Sequence, residues 1–88
     1  MQQGGKPVET LTAYDNAVKK GLVTEKEKQL FQFVLSCYGM DEFSTKQLER
    51  DFVHAAYATI RSFVLKFEEL GLLSSVKYGS RVKYKITR

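Results

Sequence analysis

The chain has 88 residues, 43% of them hydrophobic and 12% aromatic, which is enough apolar mass for one small core and excludes an intrinsically disordered tail. Its formal charge of +4 is unevenly placed: residues 1–42 carry five Lys against six acids, residues 43–70 balance at four each, and residues 71–88 carry five cations and no acid. No apolar run approaches the roughly 20 residues of a membrane span, so no membrane partner is expected.

Met1 to Glu9, MQQGGKPVE, is polar, contains Gly4-Gly5 and has the only proline, and it reads as a flexible leader before a single domain over residues 10–88. It has no apolar segment of the signal-peptide kind. Leu11, Tyr14, Val18 and Leu22 recur at three and four residues, which predicts a short helix from Leu11 to Lys20 that stops at Gly21.

In TEKEKQLFQFVLSCY, Thr24 followed three residues later by Glu27 predicts a capping box. Behind it Leu30, Phe31, Val34, Leu35 and Tyr38 make one apolar stripe of a helix that ends near Gly39. Cys37, the only cysteine, falls in this pattern and is expected to be a buried structural thiol in a reducing cytoplasm. Neither a catalytic Cys–His pair with His54 nor a zinc site is expected, because a zinc site takes about three or four ligands and the chain has one Cys and one His. No phosphate-cradling glycine loop occurs, so no enzyme and no cofactor is expected.

DEFSTKQLERDF offers a second helix start, with Ser44 as N-cap, Leu48 and Phe52 facing inward, and Phe43 suited to a short extended segment or staple. After Val53-His54, the stretch AAYATIRSFVLKFEELG repeats Ile60, Val64, Phe67 and Leu70 with Phe63 beside them, and stops at Gly71. Phe63 and Leu65 cannot both be buried with Ile60, Val64 and Phe67 on one stripe, so some apolar surface is expected to stay exposed. From Leu72 the period becomes two: Val82, Tyr84 and Ile86 alternate with Arg81, Lys83 and Lys85, a half-buried strand preceded by the weaker strand LLSSVKY. Burial considerations favour a three-residue loop, Gly79 to Arg81, which would pair Tyr78 with Val82 and put Lys77, Lys83 and Lys85 on one solvent face.

The expected class is α+β, mostly helical. FSTKQL, ATIRSFVLKFEELGLL and VKYGSRVKYKIT, in that order, resemble the winged helix-turn-helix family over roughly residues 24–87. The resemblance implies a three-helix core with a C-terminal β-hairpin wing, here with an extra N-terminal helix, and double-stranded DNA as partner for transcriptional or regulatory work. It departs from the family at Phe52-Val53-His54-Ala55, where the corner carries no glycine. It also resembles regulatory appendages of larger bacterial proteins, including some Fic-type nucleotidyl-transfer enzymes, although no stretch resembling HPFxxGNGR occurs; an excised module of such a parent is the matching expectation.

For the site, the resemblance implies that the long helix would read bases through Arg61, with Tyr57, Thr59 and Ser62 beside it and Lys66 on a phosphate. Lys46 would meet a phosphate at its helix start. The basic tail, Lys77, Arg81, Lys83 and Lys85, reads as a phosphate-tracking wing, and five cations with no acid exceed what edge protection alone requires. A protein-interaction module without DNA binding is the other reading, carried by the near-neutral long helix and its leftover apolar surface. A homodimer through the N-terminal helix and attachment to a larger parent are both compatible with the sequence.

Overall fold

The structure, a computed structural model, describes residues 8–87. The stretch read as a leader lies outside the described residues except for its last two, which already open the first helix.

The fold is α+β and mostly helical, in the order α1 (Val8–Lys19), α2 (Glu25–Cys37), α3 (Thr45–Asp51), α4 (Tyr57–Glu69), β1 (Leu73–Tyr78) and β2 (Arg81–Ile86). The Cα radius of gyration, 12.6 Å, is close to the ~12 Å expected for one domain of this length, so all elements share one core. Among the described residues no helix is long and apolar enough to cross a membrane.

Each helix starts and stops for a local reason. Thr24 caps α2 in a complete capping box: its Oγ1 accepts from the Glu27 N–H at 3.2 Å, and Glu27 Oε1 accepts from the Thr24 N–H at 2.9 Å. Ser44 caps α3, accepting from the Gln47 N–H at 3.0 Å. The cap of α4 is Ala56, which offers no side-chain acceptor to the first turn. The α4 stripe lies where the spacing puts it, with Ile60, Phe63, Val64 and Phe67 fully buried and Leu65 left 45% exposed.

Two aromatic runs tie these elements together. Tyr14 of α1 stacks on Phe31 of α2 at 4.5 Å, Phe31 meets Phe67 of α4 at 5.4 Å, and Phe67 meets Phe63 at 4.5 Å. A second run goes from Phe52 through Phe33, Tyr38 and Phe43 to Tyr84 of β2. In α1 the buried pair is Tyr14 and Ala17; Leu22, expected on that face, is 45% exposed because the helix ends before it, and Val23 is buried in its place. Cys37 is exposed at the end of α2, correcting the expectation of a buried thiol: the stripe that α2 turns inward is centred on Leu30, Phe31 and Val34.

The hairpin register differs from the expected one. Tyr78 pairs with Arg81, Lys77 with Val82, Val76 with Lys83, Ser75 with Tyr84 and Leu73 with Ile86, across the two-residue turn Gly79-Ser80. Gly79 has φ 65° while Ser80 does not enter positive φ, the pattern of a type II′ turn that a glycine opens without strain. A three-residue loop would bury Val76, Tyr78 and Val82 together. The hairpin instead runs past the core: Leu73, Tyr84 and Ile86 are buried at its base, while Val82 and Tyr78 are 37% and 52% exposed further out. Lys77 therefore lies on the face of Val82 and Tyr84, opposite Arg81, Lys83 and Lys85.

Phe43 adds a third, one-residue strand. It pairs with Tyr84 in both directions, its N–H donating to the Tyr84 carbonyl at 2.8 Å and its carbonyl accepting from the Tyr84 N–H at 2.7 Å.

Glu27 joins the cap to the tertiary structure, because its Oε1 also accepts from Lys66 Nζ of α4 at 2.9 Å. Partial burial pushes the Glu27 carboxyl up, but the Thr24 N–H and the Lys66 ammonium outweigh it and hold the group below the ordinary glutamate value. A folded value below the unfolded one means that this stabilisation is present above the unfolded value and is lost as pH falls through the folded one. Thr24→Ala is expected to lower the unfolding free energy by about 1 kcal/mol. Glu27→Ala should cost more, about 2 kcal/mol, since it removes the cap partner and the ion pair together. In urea titrations, the gap between wild type and Glu27→Ala should narrow as pH drops below the ordinary glutamate value; a gap constant down to strong acid would contradict the assignment.

Candidate functional site

The chemistry gathers where α3, α4 and the hairpin meet. Ser44 starts α3 so that Thr45 and Lys46 stand in its first turn. Thr45 Oγ1 lies 3.4 Å from Tyr57 Oη, linking the first turns of α3 and α4. Arg61, one turn further along α4, lies on the same flank as Tyr57. Hydrogen bonding from the Thr45 hydroxyl, then the Arg61 guanidinium and the Lys46 ammonium, hold the Tyr57 phenol below its ordinary value, against a smaller opposing effect of desolvation.

Tyr84 closes the cluster from the hairpin side. It is 6% exposed, and its phenol is raised first by burial, then by the Glu68 carboxylate, with Arg61 acting the other way. The three tyrosine, arginine and lysine positions from two helices thus face one another beside β2.

The ten residues expected from the sequence divide into groups. Lys46, Tyr57 and Arg61 are brought together. Arg81, Lys83 and Lys85 share the outward face of the hairpin, and Lys77 is separated from them by the register. Ser62 is exposed on the outer line of α4. Thr59 is exposed, and Lys66 turns toward α2, where it is engaged by Glu27 and is not held free for a phosphate.

Charge pairing sorts the surface further. The ion pairs among the described residues are Lys28–Glu25, Arg50–Asp51 and Lys66–Glu27. None involves Lys46, Arg61, Lys77, Arg81, Lys83 or Lys85. Among the described residues, the hairpin cations and those near the starts of α3 and α4 are thus without an acidic partner, as are Lys19 and Lys20 at the end of α1 and Lys26 on α2. At the far end of α4, Glu68 accepts from the Ser75 hydroxyl at 2.6 Å and Glu69 is exposed, so the exposed side of that helix runs from basic to acidic.

Sequence reasoning missed Thr45, Tyr84, Tyr78 and Glu42. Thr45 adjoins a recognised cap, and Tyr78 would have turned outward had the Gly-Ser turn been read as two residues. Tyr78 Oη donates to both carboxylate oxygens of Glu42, at 2.7 and 2.9 Å, across 36 residues of sequence, a separation for which no local pattern exists. His54, at the corner, gives its carbonyl to Lys26 Nζ at 3.0 Å and sets its ring edge-on to Phe52. Among the described residues no group of three or more His, Cys, Asp or Glu side chains is placed to hold a metal ion.

No protein-family model matches the chain, and no curated protein matches it.

Removing a hydrogen-bonding neighbour should release Tyr57. In Arg61→Ala or Thr45→Val the Tyr57 phenol is expected to titrate closer to its ordinary value than in wild type, by ultraviolet or NMR titration. An unchanged Tyr57 titration in both variants would dissolve the cluster.

Proposed function

We propose that the chain is a winged helix-turn-helix module that binds double-stranded DNA, with α3 and α4 as the helix-turn-helix, α4 presented to the major groove and β1–β2 as the wing. One observation carries this reading: Arg81, Lys83 and Lys85 on the outward face of the hairpin, and Lys46 and Arg61 near the starts of α3 and α4, are held in no ion pair among the described residues. Cations free of acidic partners are what a polyanion needs, because each neutralised phosphate releases condensed counterions.

The roles follow from position and donor geometry. Arg61 carries a planar fork suited to the O6 and N7 of a guanine, and Tyr57 beside it adds a hydroxyl and an apolar ring. Lys46 and the first turn of α4, whose cap offers no side-chain acceptor, suit a phosphate. Arg81, Lys83 and Lys85 track the sugar-phosphate backbone and position the module without reading sequence. Lys66 has no part in it.

A second reading rests on the other end of α4. Leu65 is 45% exposed beside Glu68 and Glu69, an apolar and acidic surface that repels DNA and suits a protein partner, such as the parent protein of a regulatory module. The apolar stripe of α1, Tyr14 and Ala17, is spent within its own chain. A reducing cytoplasm agrees with a single exposed thiol.

Fluorescence anisotropy with a mixed-sequence duplex of about 20 base pairs tests the proposal. Binding is expected in the micromolar range at about 50 mM salt, and neutralising about five phosphates would weaken it several hundred-fold by about 200 mM. Arg81→Glu/Lys83→Glu should abolish it, and Lys66→Gln should leave it unchanged. Absence of binding at low salt, or full binding by the charge-reversed variant, would make the hairpin charge a solubility device and leave the α4 surface to a protein.

A further inference from the structure

The outer half of the hairpin has no core beneath it. Lys77, Gly79, Ser80, Arg81 and Val82 are all exposed, and a two-stranded ribbon without support is at best marginally stable in water. The base is seated by Leu73, Tyr84 and Ile86 and by the two-way pairing of Tyr84 with Phe43. Beyond that base, among the described residues, the hydrogen bond from Tyr78 to Glu42 is the one polar contact that ties the tip to the rest of the domain.

Both ends of this contact are well placed to hold something. Glu42 directly precedes Phe43, which is fully buried and backbone-paired, so its carboxylate is carried by a fixed point of the core. Tyr78 is the strand partner of Arg81, so fixing its ring fixes the pair that flanks the turn. The carboxylate lies on the outward face with Arg81, Lys83 and Lys85, yet it takes its hydrogen bonds from a neutral phenol and forms no ion pair with any of them. The cations of that face stay available.

We propose that Tyr78 and Glu42 are positioning residues for DNA binding: their hydrogen bond tethers the hairpin tip to the segment before α3, and so holds Arg81 in a set orientation relative to Arg61 of α4. This inference rests on the DNA-binding reading. Without the tether, the tip must be ordered at the moment of binding, and part of the interaction is lost to that ordering.

Three variants of the full chain separate hydrogen bond from charge. Tyr78→Phe removes the donor and keeps the carboxylate. Glu42→Ala removes both acceptor and charge, and Glu42→Gln keeps an acceptor oxygen without the charge. Tyr78→Phe is expected to weaken duplex binding about 3- to 10-fold. The slope of log K against log salt should fall by about 1 as the Arg81 phosphate contact is lost. Backbone order parameters from Gly79 to Arg81 should drop from about 0.85 to below about 0.6 in the free protein, with the melting temperature unchanged. Glu42→Ala should lose affinity likewise, and Glu42→Gln should bind at least as well as wild type.

Wild-type affinity and salt slope in Tyr78→Phe would overturn the inference while leaving the DNA reading intact. So would a loss of affinity that tracks a fall in melting temperature with the salt slope unmoved, since that would make the contact merely structural. Failure of wild type itself to bind at low salt would overturn both, and is recognised because no variant then binds.

Discussion

The placement of Phe43 is the constraint from which the rest of the arrangement follows. Its side chain is fully buried, its ring stacks on Tyr38 at 5.0 Å, and its backbone exchanges two hydrogen bonds with Tyr84. A single residue thereby fastens the hairpin to α2 and to the start of α3. Leaving either of those buried backbone groups unpaired would cost as much as a lost hydrogen bond with its desolvation, so the hairpin base has little freedom to move. Ser44, the next residue, caps α3, and this is how Thr45 and Lys46 come to stand beside Tyr57.

Charge is organised by the same packing. Glu27 belongs at once to the α2 cap and to the Lys66 pair, so α2 and α4 are held at a carboxylate that is only 14% exposed. Arg50 and Asp51 likewise compensate each other, and Tyr38 Oη donates to the same Asp51 at 2.7 Å. These contacts neutralise the surface built by α2 and by the end of α3. The hairpin has no acids of its own, and the two carboxylates that reach it are taken up by hydroxyls, Glu42 by the Tyr78 phenol and Glu68 by Ser75. An electropositive surface results from where acids are missing rather than from an excess of cations across the whole domain.

The helices were legible in the sequence because their signals are local. A capping box spans four residues and an apolar stripe spans two turns, so Thr24–Glu27, Ser44 and the Ile60–Phe67 stripe could be read directly. That Phe63 and Leu65 could not both be buried also followed from the stripe being full, and packing decided that Leu65 is the exposed one. The errors have two origins. Cys37 and Leu22 carry apolar side chains in roughly helical register, but each sits at or past a helix end, where the packing direction is set by the next element. The hairpin register was misjudged by assuming that a strand with alternating apolar residues is buried along its whole length. Turn chemistry, Gly79 followed by Ser80, was the better guide.

By itself the sequence determined the kinds of element, their order, the caps and the concentration of positive charge in the last quarter of the chain, since each depends on neighbours within about one or two helical turns. Only the tertiary structure decided which cations remain unpaired. Lys66 and Arg61 look equivalent along α4, yet one meets Glu27, 39 residues away, and the other faces Tyr57 and Tyr84. Tyr78 and Glu42 likewise meet only because Phe43 pairs with Tyr84. Contacts of that kind depend on how a helix flank or a sheet edge is turned in space, and sequence spacing carries no information about it.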